Sequence, residues 1–287
     1  MQLNRILSLT TLALWNLIAI PEVRGDAEFL QVRKKLHKDM STRQYDPPEK
    51  YFHESMFHPH YDGRFAEKAL PYHEQKSALK NLVQTYLWTF SDLGVETWLM
   101  HGSLLGWWWG KKIMPWDTDV DVQVSEASIH YLASYYNMSV FHYNTPRIPE
   151  GRDYMLEINP HYVNREQTDK LNVIDARWID TDNGLFIDIT AVRYNPNHPA
   201  GEGILYCKDG HEFRDTYLYP LRSTTFEGSP AKIPFGYKQI LESEYGTKGL
   251  VKTEYAEHVF SDEKMEWLPK LPVADSSGDE LRRDESG

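Results

Sequence analysis

The alternation of apolar and polar positions divides the chain into a helical part, a strand-rich centre and two polar ends. From His73 to Leu93, the apolar residues Ala78, Leu79, Leu82, Val83, Tyr86, Leu87 and Phe90 recur at helical spacing. They predict an amphipathic helix ended by Gly94. Val95–Met100 reads as a short strand running into His101-Gly102-Ser103. After Pro115 the pattern switches to period two, with Val120, Val122 and Val124 on one face and Asp119, Asp121 and Gln123 on the other. Ser125–Tyr136 then reads as a helix with Ser125 as N-cap, followed by strands at Ser139–Tyr143 and Tyr154–Ile158. Two longer runs, Val173–Asp180 and Gly184–Tyr194, flank Thr181-Asp182-Asn183-Gly184, and Asn-Gly suits a tight hairpin turn. A last helix is expected at Tyr237–Tyr245, stopped by Gly246.

The ends read differently. Arg5, the apolar run Ile6–Ile20, Pro21 and Val23-Arg24-Gly25 have the order of a signal peptide over residues 1–25. The run is short for a membrane span of about 20 residues, so cleavage is favoured over a short signal anchor that would tether the protein. Residues 26–75 are polar and rich in His, Tyr and Pro and read as an N-terminal arm, with a short helix near Asp26–Lys38. Residues 271–287 read as a disordered acidic tail. A lumenal address follows, Golgi first and secretion as the alternative. Asn137-Met138-Ser139 supplies a glycosylation sequon at Asn137. With Cys207 as the one cysteine, no internal disulfide can form, and the core must carry stability. A net charge of -11 argues against nucleic acid as a partner. Oligomeric state is not encoded in any pattern here.

The chemistry concentrates between His101 and Val124. Carboxylates at i and i+2 on one strand face, Asp119 and Asp121, would repel each other unless they shared a hard cation such as Mg2+ or Mn2+. Asp188, in the apolar run Leu185-Phe186-Ile187-Asp188-Ile189, is the candidate third carboxylate. The alternative for Asp188 is a plain salt bridge to Arg177 or Arg193. Gly102 and Ser103 suit donor phosphate at a helix N-terminus, and Lys111 and Lys112 add local positive charge. Asp117 lies on the same motif as a secondary element. A calcium loop fits poorly, because Val122 stands where glycine is required and Ser128 where glutamate is required. The histidines, His53, His58 and His60 included, show no strong metal-ligand spacing. Trp107, Trp108 and Trp109 serve either as core or as a stacking surface.

HGSLLG followed by PWDTDVDV resembles the LicD family, which includes bacterial phosphocholine transferases, fukutin-related proteins and fungal proteins tied to mannosylphosphate addition. GWWWGKKIMPWDTDVDVQV is most similar to the fungal branch, and GLFIDIT and FEGSPAKIPFGYKQILESEYG resemble the later family blocks. The resemblance implies an α+β, polymerase-β-like nucleotidyltransferase fold over residues 76–270, with a mixed sheet and helices packed against it. It implies Asp119, Asp121 and Asp188 as metal ligands, and Gly102 and Ser103 as donor phosphate contacts. The partners would be a nucleotide-diphosphate-linked donor and a glycan or glycoprotein acceptor, and the transferred group mannose 1-phosphate. Trp109 departs from the family pattern, which has arginine there, so Lys111 or Lys112 would have to supply that contact. Two rival readings stand beside the enzyme: a non-catalytic regulatory partner of a separate mannosylphosphate transferase, and a GT-A-like glycosyltransferase that also uses a DxD motif. The latter lacks the expected βαβ repeats ahead of its aspartates.

Overall fold

In the computed structural model, which describes residues 38–271, the long helical pattern is helix α1, Tyr72–Asp92. Its predicted stripe, Ala78, Leu79, Leu82, Val83, Tyr86, Leu87 and Phe90, is buried. Each such large apolar side chain contributes about 1.5–3 kcal/mol on burial. The stripe packs on a mixed sheet. Strand β1 (Thr97–Leu99) is followed by α2 (His101–Gly110), β2 (Asp121–Ser125) and α3 (Glu126–Tyr135), then β3 (Ser139–Thr145), β4 (Ile148–Ile158), β5 (Ala176–Asp180) and β6 (Phe186–Tyr194). The strands lie in the order β1-β2-β6-β5-β4-β3. The β2–β6 pair is parallel, and its neighbours β1–β2 and β6–β5 are antiparallel. The fold is α+β, as the sequence resemblance implied.

Local chemistry accounts for the elements. Ser125 caps α3 by accepting the Ser128 N–H at 3.1 Å. The hairpin β5–β6 turns at Gly184, whose φ of 77° is left-handed and whose absent Cβ would lie 2.6 Å from the Asp62 carbonyl. The arm segment ahead of α1 docks at the same place, where Tyr61 bridges to Leu185 and is fully buried.

Beyond β6 the chain builds small ribbons. These are β7 (Ile204–Tyr206) with β8 (Glu212–Arg214), β9 (Arg222–Phe226) with β10 (Ser229–Ile233), and β11 (Glu254–Tyr255), β12 (His258–Ser261) and β13 (Glu266–Pro269) together. A short helix α4 (Asp215–Leu218) precedes β9, and α5 (Tyr237–Gly249) precedes β11. Gly246, at φ 67°, breaks α5 where its end was expected, and one further turn follows.

Two expectations are corrected. Asp117–Val120 is irregular, so Asp119 and Asp121 do not share a strand face and β2 begins only at Asp121. Lys76 Nζ donates to two carbonyls at the head of this segment, those of Met114 at 3.1 Å and Asp117 at 2.7 Å. Strand β4 also starts six residues earlier than expected, at Ile148 rather than Tyr154, because Ile148, Arg152 and Asp153 pair with β3 without an apolar repeat to announce it. The signal segment, nearly all of the helix expected near Asp26–Lys38 and the acidic tail from 272 onward lie outside the described residues. Among the described residues, no helix is long and apolar enough to cross a membrane.

Candidate functional site

The parallel pairing of β2 with β6 sets Asp121 directly against Asp188, in register. Paired residues on neighbouring strands point to the same face, with strands about 4.8 Å apart. The two carboxylates therefore share one face of the sheet. The backbone locks this arrangement: Asp188 N–H donates to the Val120 carbonyl at 3.1 Å, and Met100 N–H to the Asp121 carbonyl at 3.3 Å.

Ser103 ties two elements of the site together. Its buried Oγ accepts the Asp121 N–H at 2.9 Å, joining the first turn of α2 to the start of β2. Gly102 lies beside Asp117, whose Oδ2 is 3.5 Å from where a Cβ would stand. Thus Gly102, Ser103, Asp117 and Asp121 are brought together. Lys111 and Lys112 are not. They follow the far end of α2, and eight residues of helix separate Gly102 from Gly110 by about 12 Å. Lys111 is the left-handed cap, with its carbonyl accepting from Glu227 N–H, and Lys112 is ion-paired to Glu266.

Trp109 is buried against Phe260 and Trp267, and its indole N–H donates to the Gly249 carbonyl at 3.1 Å. Trp108 and Trp107 likewise donate to the Leu250 carbonyl and Thr224 Oγ1, so all three indoles are packing elements with satisfied N–H groups. Asn137 is exposed, and its Oδ1 accepts the Ile158 N–H at 2.9 Å.

Charge in the site is unevenly balanced. Asp188 accepts from Arg177 Nε at 2.8 Å, and Arg177 also meets Glu54 at 3.3 Å, so the salt bridge anticipated for Asp188 is made with Arg177 and not Arg193. The Arg177 guanidinium is held between Phe186, 3.7 Å from its ring centre, and Phe52 at 4.7 Å. Burial and then the neighbouring Asp119 charge push the Asp121 carboxyl up to about 8, with His101 opposing. Burial and Asp119 likewise push Asp117 up to about 7 against Lys76. Burial raises Asp188 despite Arg177. Asp119 itself is open, its side chain 45 % exposed. Crowded carboxylates whose ionised forms are disfavoured are what a hard divalent cation relieves, and an all-oxygen donor set of this kind fits Mg2+ or Mn2+.

Four neighbours were not among the expected site residues. His60 reaches in from the arm, its Nδ1 3.1 Å from Thr118 Oγ1 and 3.6 Å from Asp119 Oδ2. Lys76 on α1 brings an ammonium to Asp117, and burial lowers it to about 8. Tyr245 of α5 lies within electrostatic reach of Asp121, Asp117 and Asp119. His101 faces Glu244 and Asp209. Burial would depress its imidazole, but those two carboxylates outweigh burial and hold it at about 10. The signal for Lys76 and Tyr245 was a polar residue interrupting a helical stripe. For His60 and His101 there was none, because their partners come from distant segments.

Residues 94–235 match the family described as LicD/FKTN/FKRP, nucleotidyltransferase domain, and both Asp121 and Asp188 fall inside the match. Mannosyltransferase regulator 4 of Saccharomyces cerevisiae is 34% identical over 119 residues, 42% of this chain and 10% of the relative. Mannosyltransferase regulator 14 of the same yeast is 34% identical over 119 residues, 42% of this chain and 12% of the relative. The chain thus spans about a tenth of the length of the curated relatives it matches. With the motif order, the mixed sheet and the family match in agreement, residues 94–235 form a domain of the LicD family.

Proposed function

We propose that this protein is a metal-dependent transferase of glycan modification in the lumen of the secretory pathway, most naturally the Golgi. It would move a phosphate-linked group, mannose 1-phosphate in the leading case, from a nucleotide-diphosphate donor to a sugar hydroxyl. The observation that carries this reading is the in-register juxtaposition of Asp121 and Asp188 beside Asp119. Asp119, Asp121 and Asp188 would hold Mg2+ or Mn2+. When bound, the metal would supply charge neutralisation for the diphosphate and the transferred phosphoryl oxygens. The protein's own groups do the positioning. Arg177 fixes one oxygen of Asp188, leaving the other for a cation or for the acceptor proton. Ser103 holds the Asp121 backbone, while the N-terminus of α2 around Gly102 offers partial positive charge to donor phosphate. Lys76, rather than Lys111 or Lys112, stands on the carboxylate side of α2 to balance phosphate charge.

The test is a donor screen of the purified protein with neutral mannan, reading the mass added to the glycan in Mg2+, Mn2+ or chelator. Addition of a hexose phosphate that requires metal and disappears in Asp121→Asn supports the reading. Addition of a bare hexose would instead indicate a glycosyltransferase.

One observation favours a second reading. Both yeast relatives are named mannosyltransferase regulators, which supports a regulatory role in place of catalysis. Calorimetry with nucleotide-diphosphate mannose, with and without Mn2+, separates the two, since a regulator without catalytic function need not bind the donor.

A further inference from the structure

We propose a second metal site, distinct in chemistry from the carboxylate site, formed by His101, Asp209 and His211 and selective for a zinc-like transition metal. It rests on side-chain geometry alone and does not depend on the proposed transfer reaction. Asp209 and His211 lie in the turn Cys207–His211 between β7 and β8, and His101 opens α2. The Asp209 carboxylate stands between the two imidazoles, its Oδ2 3.4 Å from His101 Nε2 and its Oδ1 3.0 Å from His211 Nδ1. One donor atom from each residue lies within 4.8 Å of the others. A tetrahedral zinc with ligands at about 2.0–2.1 Å requires donor separations of about 3.3 Å. The two histidine–carboxylate pairs are already near that value. The third pair, between the two imidazoles, lies within 4.8 Å, and closing it would take a small shift of the His211 ring, whose side chain is 42 % exposed.

Three further features prepare the site. Both imidazole nitrogens facing Asp209, His101 Nε2 and His211 Nδ1, are buried and make no hydrogen bond of acceptable geometry. The other nitrogen of His101, Nδ1, is 3.1 Å from Glu244 Oε1 on α5. Donation there orients the ring so that a metal displacing the Nε2 proton would meet its lone pair, the carboxylate–histidine–metal relay common at zinc sites. Asp209 is itself oriented, accepting from Cys207 Sγ at 2.7 Å and from the His211 N–H at 3.1 Å. Two imidazoles with one carboxylate select zinc over magnesium, unlike the all-oxygen set at Asp119, Asp121 and Asp188.

The consequence is positional. His101 holds a left-handed φ of 49°, unusual for a residue with a side chain, directly before the turn whose Ser103 holds Asp121. A metal there would join α2, α5 and the β7–β8 turn at that point.

The experiment uses the full chain, stripped with chelator, re-equilibrated with Zn2+ and assayed by elemental analysis, with Co2+ absorption as a second readout. About one tightly held zinc is expected per chain, with a visible cobalt band. Both should survive in Asp119→Asn, and zinc affinity should fall at least tenfold in His211→Ala. Should His211→Ala misfold by circular dichroism, Asp209→Asn takes its place. The wild-type chain must also melt several degrees higher with zinc than without. Absence of tight zinc, retention of full affinity in the folded histidine variant, loss in Asp119→Asn instead, or no thermal shift would each overturn the proposal. Any of these would leave a proton-bridged His101–Asp209 pair as the occupant of that space.

Discussion

Two acidic centres sit close together in the same sheet, and they are built on opposite principles. Asp175, just ahead of β5, is fully buried and saturated. Lys208 Nζ lies at 2.8 Å, Arg193 at 3.2 Å, and the Ala191 N–H donates to it at 2.8 Å. Arg193 and Lys208 spend their remaining donors on the carbonyls of Ala191, Tyr162 and His161. At the other centre Asp117, Asp119, Asp121 and Asp188 crowd together, and among the described residues the Lys and Arg cations recorded against them are Arg177 and Lys76. A buried acid with every lone pair used holds the fold. A cluster with more negative charge than its neighbours offset is kept for something that arrives from solution.

Substitutions can break this contrast. The largest effect is expected from Asp175→Ala, which leaves Arg193 and Lys208 buried without their anion. It should cost about 3–5 kcal/mol in urea denaturation, and a loss below 1 kcal/mol would end the distinction. Asp121→Asn should do the reverse, reducing metal-dependent transfer by about 100-fold or more while thermal stability stays level or rises, because a repelled charge is removed. Ser103→Ala sharpens the boundary. It removes the acceptor of the buried Asp121 N–H and should cost about 1–2 kcal/mol, with weaker Mn2+ binding by calorimetry as the companion readout.

The smallest effect concerns pH. Asp180, at the hairpin, is buried and pushed up to about 6 by that burial although Arg152 lies at 3.2 Å. Its folded value exceeds the unfolded one, so between about pH 4 and 6 the native state binds more protons than the unfolded chain. Its contribution to stability therefore falls as pH rises through that window. Asp180→Asn should flatten that part of a melting-temperature profile, and an unchanged slope would assign it to other groups.

Much of this arrangement was legible in the sequence, for identifiable reasons. The valines of β2 and the apolar run around Asp188 both reported a buried strand carrying a carboxylate, and parallel pairing then joined them. The helical stripe of α1 and the Gly184 turn were equally direct, because each depends on local periodicity or backbone conformation. What was not legible depends on contacts between distant segments. Lys76 reaches the carbonyls of Met114 and Asp117 from a helix far upstream. His60 arrives from the arm, and the β7–β8 turn brings Asp209 and His211 to His101. Strands of two to four residues, such as β11 to β13, are too short to show a period.

The three adjacent tryptophans have a practical corollary for anyone cutting this chain to size. The family match ends at residue 235, yet Trp108 and Trp109 give their indole protons to the carbonyls of Leu250 and Gly249, and Trp109 packs edge-on against Phe260 and Trp267. The match also begins at residue 94, after α1 has already supplied its buried stripe. A fragment trimmed to the borders of sequence similarity would expose an aromatic seam and two unpaired donors. The smallest soluble piece should therefore begin before Tyr72 and extend through Pro269.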